Sequence, residues 1–322
     1  TQQVFDGAAD TDRAKEVSGI KTILSRDEAM RRLRDLANQH SIVYTTEQPV
    51  YLREHAHFQL NSAQADLKKV LERTFKNVQI CNRELATLRT IKQSAEIAAI
   101  QKAIKITITA FESMKKALPV AKHEYELQAV LDYEIRRQGA RGHAYDPIIA
   151  GNLNACTLHY IHNDAPLSKK SLVLFDIGAR IDGYAADISR TYALSAPTKR
   201  QQAVYDAVLE AQMACIDLLR PGLAFTDYHD QCEVIMKRAL QGLNLSLDRY
   251  RDYFPHAMGH GLGVDVHDPL VGYDSFQPGM VLTVEPGIYI RDESIGVRIE
   301  DDILITETGH KNLSAALSTA LR

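Results

Sequence analysis

Apolar positions fall at helical spacing through the later two-thirds of the chain and in shorter runs before it. Over residues 91–117 they recur at 97, 100, 104, 108 and 111, with Pro119 just beyond, so a long helix is expected there. Residues 123–138 read as a second helix, stopped by Gly139. Thr198 with Gln201 forms a capping box for a third, which reaches Leu219 before Pro221-Gly222. Residues 225–240 supply a fourth, ended by Gly242. Before residue 85 the elements are short. Ser25 with Glu28 caps a helix continued by Ala29, Leu33 and Leu36, and residues 63–75 read as another. Ile42-Val43-Tyr44 and Val78-Gln79-Ile80 are strand candidates. Residues 1–25 are polar and aperiodic, an expected arm or linker, and His55 and His57 read as loop or surface residues. The organisation expected is a small α/β unit over 1–87 followed by an α+β domain over 88–322.

The strands of the second domain carry acids where strand propensity disfavours them. Residues 144–150 and 157–160 read as strands leading to a hairpin over 172–192, with Asp182-Gly183 as its turn. With that turn, Asp176 pairs opposite Ser189, and Asp187 lies two residues from that partner on the same face. Two carboxylates held roughly 5–8 Å apart on a buried sheet repel unless a cation or proton lies between them. Solvated acids on an edge hairpin are the plain alternative for this pair taken alone.

The rest of the sequence changes those odds. His256, His260 and His267 fall within a Gly-rich segment, FPHAMGHGLGVDVHDP, at a spacing that fits neither a zinc finger nor HExxH. A second apolar hairpin follows. Glu285 ends the strand 281–284, Glu300 sits on the return, and a turn centred on Asp292-Glu293 makes them cross-strand neighbours. Four carboxylates and at least one imidazole on strands or their ends form a hard-oxygen site for two divalent ions, Mn²⁺ foremost, with Co²⁺ and Zn²⁺ as other candidates.

Composition narrows the class. At 45% hydrophobic and 25% charged residues the chain is an ordinary globular protein, and a net charge of −3 with scattered Lys and Arg gives no reason to expect nucleic acid. No apolar run approaches the roughly 20 residues of a membrane span, and the first 20 residues lack a signal-peptide core. Cys81, Cys156, Cys215 and Cys232 show no paired spacing and suit reduced thiols in a cytoplasmic protein. A start at Thr1 rather than Met is what a trimmed or processed product shows.

From residue 88 to about 312 the chain resembles the pita-bread metallopeptidases, in particular the aminopeptidase P and prolidase branch that cleaves Xaa-Pro bonds. The resemblance rests on LRTIKQSAEI, NACTLHYIHND, LFDIGARIDGYAADISRTY, HAMGHGLGVDVHD, LTVEPGIYI and GVRIEDDILITETGH. It implies Asp176, Asp187, His260, Glu285 and Glu300 as ligands of two metals. It implies substrate contact or proton shuttling at His159, His256 and His267, and a network role for Arg298 holding Glu300. The part before residue 88 is short for this family, whose larger amino-terminal domain often belongs to a dimer interface, so a homodimer is one candidate assembly. The chain has no Trp, and Asn152 stands where glycine is common.

The function expected is release of the first residue from peptides with proline second, Glu285 acting as general base and His256 or His159 stabilising the oxyanion. Prolidase action on Xaa-Pro dipeptides is the near alternative. Methionine aminopeptidase, a metal-free creatinase-like hydrolase and a non-catalytic binding protein on this fold rank below it. The RIEDDILIT ending argues against the first of these, and five filled ligand positions argue against the other two.

Overall fold

The computed structural model describes residues 10–47 and 62–322; His55 and His57 lie outside the described residues. The chain divides into two compact units, Thr1–Glu84 and Leu85–Arg322.

In the first unit, helices α1 (Thr11–Ser18), α2 (Arg26–Gln39) and α3 (Ser62–Thr74) accompany strands β1 (Ile42–Thr45) and β2 (Asn77–Ile80). The strands pair in parallel, Ile42 opposite Asn77. The capping box at Ser25 and Glu28 forms as expected. Helix α1 corrects the expectation of an aperiodic arm. It has no buried residue and so leaves no apolar stripe to read. Local groups hold it instead: the Asp10 side chain accepts from the Asp12 and Arg13 amides, Arg13 pairs with Glu16, and Gly19 closes the end at φ 68°.

Helix α4 (Asn82–Thr90), not expected from the sequence, enters the second unit at Leu85, and α5 (Ser94–Ala117) and α6 (Glu124–Arg137) follow. Strands β3 (Gly142–His143) and β4 (Ile148–Gly151) lead to the first hairpin, β5 (Leu172–Ile177), β6 (Ala179–Ile181), β7 (Tyr184–Ala185) and β8 (Ile188–Ala193). Helices α7 (Lys199–Leu218) and α8 (Phe225–Gly242) come next. The chain closes with the second hairpin, β9 (Val281–Val284), β10 (Gly287–Ile290), β11 (Ile295–Arg298) and β12 (Asp301–Ile305), and with β13 (His310–Asn312). A helix pair followed by an acid-bearing hairpin thus occurs twice. Residues 157–160, expected to be a strand, form a turn. Asn152 enters a 3₁₀ segment at φ 52° and the Thr157 amide bonds back to Asn154, so the local backbone closes on itself before a ladder can form.

Sheet β4-β5-β8 is antiparallel and has two unlike faces. Val173, Phe175, Ile177, Ile188 and Tyr192 pack with Ile100, Ile104 and Phe111 of α5 and with Leu127 and Leu131 of α6. The alternate positions, Leu174, Asp176 and Ser189, face away from that core, as period-two alternation requires. The second hairpin packs Leu282, Val284, Ile288, Val297 and Ile303 with Val204 and Val208 of α7 and with Cys232 and Met236 of α8. Each helix pair covers one apolar face, which leaves the acid-bearing faces of both hairpins to the site.

Candidate metal centre

In the first hairpin Asp182 (φ 53°) and Gly183 (φ 87°) take the two positive φ angles that a type I′ turn needs. The register that follows places Asp176 opposite Ser189, Ile177 opposite Ile188 and Ile181 opposite Tyr184, as the sequence predicted. The ladder breaks between its two halves. A Cβ on Gly178 would lie 1.7 Å from the Ala186 carbonyl oxygen, so glycine permits this close crossing. Asp187 sits at the break, 5% exposed.

The second hairpin repeats the device. Gly287 pairs with Arg298 and Val284 with Asp301, so the expected turn register holds on both sides of a break. Glu285 and Glu300 lie at that break. Their amides leave the ladder, Glu285 donating to Met258 O and Glu300 to Ser189 O, which ties the second hairpin both to the His-rich loop and to the first hairpin. The loop lies against β9: the His260 amide donates to Thr283 Oγ1 and the Thr283 amide to His260 O. A Cβ on Gly259 would sit 2.0 Å from Thr283 O, so no larger residue fits there.

All nine residues singled out in the sequence line one cavity of about 800 Å³: Asp176, Asp187, Glu285, Glu300, His159, His256, His260, His267 and Arg298. Ligand atoms of Asp187, His260 and Glu300 lie within 4.8 Å of one another. His260 Nδ1 is 3.0 Å from Gly261 O and acts as donor there, which turns Nε2 towards Asp187 Oδ2 at 3.4 Å and Glu285 Oε1 at 3.6 Å. A backbone carbonyl that fixes one ring nitrogen of a histidine is the usual support for a metal ligand at the other.

The electrostatics show a surplus of buried negative charge. Burial, followed by Asp187, Glu285 and Asp176, pushes the Glu300 carboxyl well up, and burial with Asp176 raises Asp187. Burial first, then Asp187 and Asp176, push Glu285 up to about 7. At His260 burial opposes the charge, but Asp187 and Glu285 outweigh it and raise the imidazole to about 9. Glu300 Oε1 is buried with no hydrogen-bond partner. A buried carboxylate oxygen without a donor, among acids that push one another's carboxyls up, fits divalent cations.

A second layer of side chains orients the acids, and the sequence reading did not single it out. Tyr145 Oη lies 2.5 Å from both Asp176 Oδ1 and Asp187 Oδ1. Ser189 Oγ donates to Glu300 Oε2 at 2.7 Å and accepts from Arg298 Nε at 2.9 Å. Tyr289 Oη accepts from Arg298 Nη1 at 2.8 Å and lies 2.9 Å from His256 Nε2. Asp302, its Oδ2 accepting from the Asp187 amide, is a further buried acid pushed well up by burial and Asp187. Ser189 and Tyr289 had a signal, since each shares a strand face with an acid of its own hairpin. Tyr145 had none, because it arrives from a separate segment.

Two of these residues have partners that the sequence did not show. Arg298 does not hold Glu300 directly. Its Nη2 donates to Asp176 at 2.5 Å, and Glu300 is reached through Ser189, because the guanidinium points across to the first hairpin. His256 offers no free N–H to a substrate: Nδ1 donates to Ala257 O at 2.8 Å and Nε2 accepts from Tyr289. Burial and the nearby Arg298 lower its imidazole to about 4, so the 3.7 Å approach to Glu285 is no ion pair at neutral pH. His159 and His267 are exposed on the cavity wall, and the His267 ring lies 4.1 Å from that of His260.

Comparison with known proteins agrees with this geometry. Residues 98–307 match the model of metallopeptidase family M24. The chain is 35% identical to the Xaa-Pro aminopeptidase of Escherichia coli, over 95% of its own length and 74% of that protein. It is 38% identical to the Xaa-Pro aminopeptidase of Haemophilus influenzae, over 72% of its length and 59% of that protein. The low-pH form of Escherichia coli aminopeptidase P superposes with a TM-score of 0.85 at 30% identity, over 99% of this chain and 78% of that one. The motif resemblance is borne out in both fold and branch. The chain belongs to metallopeptidase family M24, in the aminopeptidase P branch of the pita-bread fold.

Proposed function

We propose that this protein is a metal-dependent exopeptidase that hydrolyses the bond before proline and releases the first residue of Xaa-Pro peptides. The observation that carries it is the convergence of Asp176, Asp187, His260, Glu285 and Glu300 on one cavity, with ligand atoms of Asp187, His260 and Glu300 within 4.8 Å of one another. These five residues would hold two divalent ions, and Mn²⁺ suits a set of four carboxylates and one imidazole. When bound, such ions acidify water and draw electron density from a carbonyl oxygen.

The chain's own groups supply the rest. Glu285, where its strand ends at the cavity, accepts a proton at a carboxylate oxygen. His159, exposed on the wall, donates towards the developing oxyanion in place of the fully engaged His256. Arg298, Tyr145 and Ser189 keep the acids from swinging, which preserves the alignment on which the rate depends. Ile148, Leu158, Ile161 and Val266 give the same cavity an apolar wall for the peptide's side chains. A prolyl amide has no N–H, the donor most peptidases use, so its cleavage calls for a specialised site. The named activity of the Escherichia coli and Haemophilus influenzae relatives supports this reading. Four free thiols accord with a reducing, cytoplasmic setting.

The test is hydrolysis of Ala-Pro, Ala-Pro-Ala and Met-Ala-Ser by protein stripped of metal and then reloaded with Mn²⁺. Release of alanine from Ala-Pro-Ala only after reloading is expected. Cleavage of Met-Ala-Ser with Ala-Pro-Ala left intact would overturn the reading.

A further inference from the structure

The segment LRTIKQSAEI, at residues 88–97, lines no part of the cavity, yet it reaches both segments that carry ligands. Arg89 Nη2 is bonded to the Asp268 carboxylate and lies 2.6 Å from Asp265 Oδ2. Lys92 Nζ lies 3.0 Å from Asp268 Oδ2, and both side chains are 1% exposed. That contact is an ion pair by distance, without the angles of a hydrogen bond. Thr90 Oγ1 accepts from the Val271 amide, and Glu96 Oε1 accepts from Tyr184 Oη at 2.9 Å, on the hairpin that carries Asp176 and Asp187.

Asp268 directly follows His267 and closes the His-rich loop. Its amide donates to Gly261 O at 2.8 Å, the Leu262 amide donates to Val281 O at 3.0 Å, and the Ala185 amide donates to Gly263 O at 3.0 Å. The loop wraps the carboxylate so closely that a Cβ on Gly263 would meet Asp268 Oδ2 at 2.4 Å and Lys92 Cε at 2.9 Å. A buried Lys–Asp pair gives little net stability, because desolvation offsets the attraction. Its contacts fall instead on the end of the loop that joins His260 to His267.

Resting on the function proposed above, we propose that Lys92 and Arg89, through Asp268, are positioning residues that set His267 and His260 against the acids of the cavity. Stability and rate should therefore come apart when the pair is replaced by neutral groups. Lys92→Met leaves the buried Asp268 carboxylate with Arg89 but without its buried cation, and should lower both Tm and kcat. The double variant Lys92→Met with Asp268→Asn has no unpaired buried charge and should recover Tm. Its kcat on Ala-Pro-Ala should stay at least about tenfold low, since a displacement of about 1 Å can cost on the order of 10²-fold. KM should change little, the pattern of a loss confined to the transition state. Bound Mn²⁺ per chain should be unchanged in both variants. Amide exchange at Leu262 and Asp268 should be faster in the double variant than in the wild type.

A merely structural pair predicts the opposite, with kcat returning in the double variant together with Tm, and that result would overturn the proposal. Wild-type exchange at Leu262 and Asp268 in the double variant would also overturn it, whatever the substrate. Failure of the wild type itself to cleave Ala-Pro-Ala would instead count against the function, and the exchange measurement would still decide the brace.

Discussion

Removing the guanidinium of Arg298 tests the link between the two hairpins. The residue is 4% exposed and donates to Ser189 Oγ at 2.9 Å, Tyr289 Oη at 2.8 Å and Asp176 Oδ2 at 2.5 Å. Arg298→Met keeps much of the volume but takes a donor from three acceptors, one of them the half-buried Asp176 carboxylate. Removing one partner of a buried ion pair costs about 3–5 kcal/mol. For a unit of the size of residues 85–322, each kcal/mol shifts Tm by about 2–4 °C, so a fall of roughly 6–20 °C is expected. Calorimetry on metal-free and Mn²⁺-loaded protein measures it, and the fall should be smaller with metal because an ion takes over part of the pairing at Asp176. Arg298→Lys retains the charge but not the planar fork, so it should recover part of the Tm while turnover stays low. A metal-free Arg298→Met protein that melts within about 2 °C of wild type would refute the reasoning, since no such network would then be holding the site.

Three further outcomes follow from the same geometry. Asp187→Asn should weaken metal binding and abolish turnover with the fold retained, read by metal content per chain, circular dichroism and kinetics, because a neutral amide is a poorer ligand for a hard cation. His260→Ala should lower metal content and activity together, whereas His256→Ala should keep the metal and lose rate through the freed Tyr289 and Arg298; the reverse pattern would exchange their roles. In the metal-free protein, stability should fall as pH rises above about 6.5, below which His256, lowered from 6.5 to about 4, opposes Glu285. Glu285, raised from 4.5 to about 7, favours the folded state while protonated and loses that contribution across this interval, and His260, raised from 6.5 to about 9, loses its own as pH climbs through 9. A metal-free Tm that rises between pH 7 and 9 would contradict this, as would a Tm gain on Mn²⁺ addition that fails to grow with pH over that range.

The parts of the protein legible in the sequence are those set by local chemistry. Asp182-Gly183 specifies a turn, the turn specifies a register, and the register brings Asp176 to Ser189. The same logic held across Glu285 and Glu300, because a turn centred on residues 292 and 293 serves both halves of the second hairpin. Capping boxes at Ser25 and Thr198 were readable for the same reason. Partners that arrive from distant segments were not. Tyr145 bridges the two aspartates from another strand connection, and Asp301 pairs with Arg190 on the side of the sheet opposite the site, so neighbouring acids in one motif serve different ends. Side-chain direction was equally hidden, so the reach of Arg298 to Asp176 and of His256 to Tyr289 was not legible. Helix α1 and the turn at 157–160 show that capping and a single left-handed residue can outweigh apolar spacing.

The central claim is that metal held by these residues cleaves the bond before proline. It is tested most directly by titrating chelator-stripped protein with Mn²⁺ while following both bound ions per chain and alanine release from Ala-Pro-Ala. The account predicts no release from the stripped protein, and a rate that rises with occupancy and levels off at two ions per chain. Undiminished release after stripping, or equal release from Ala-Ala-Ala, would contradict it.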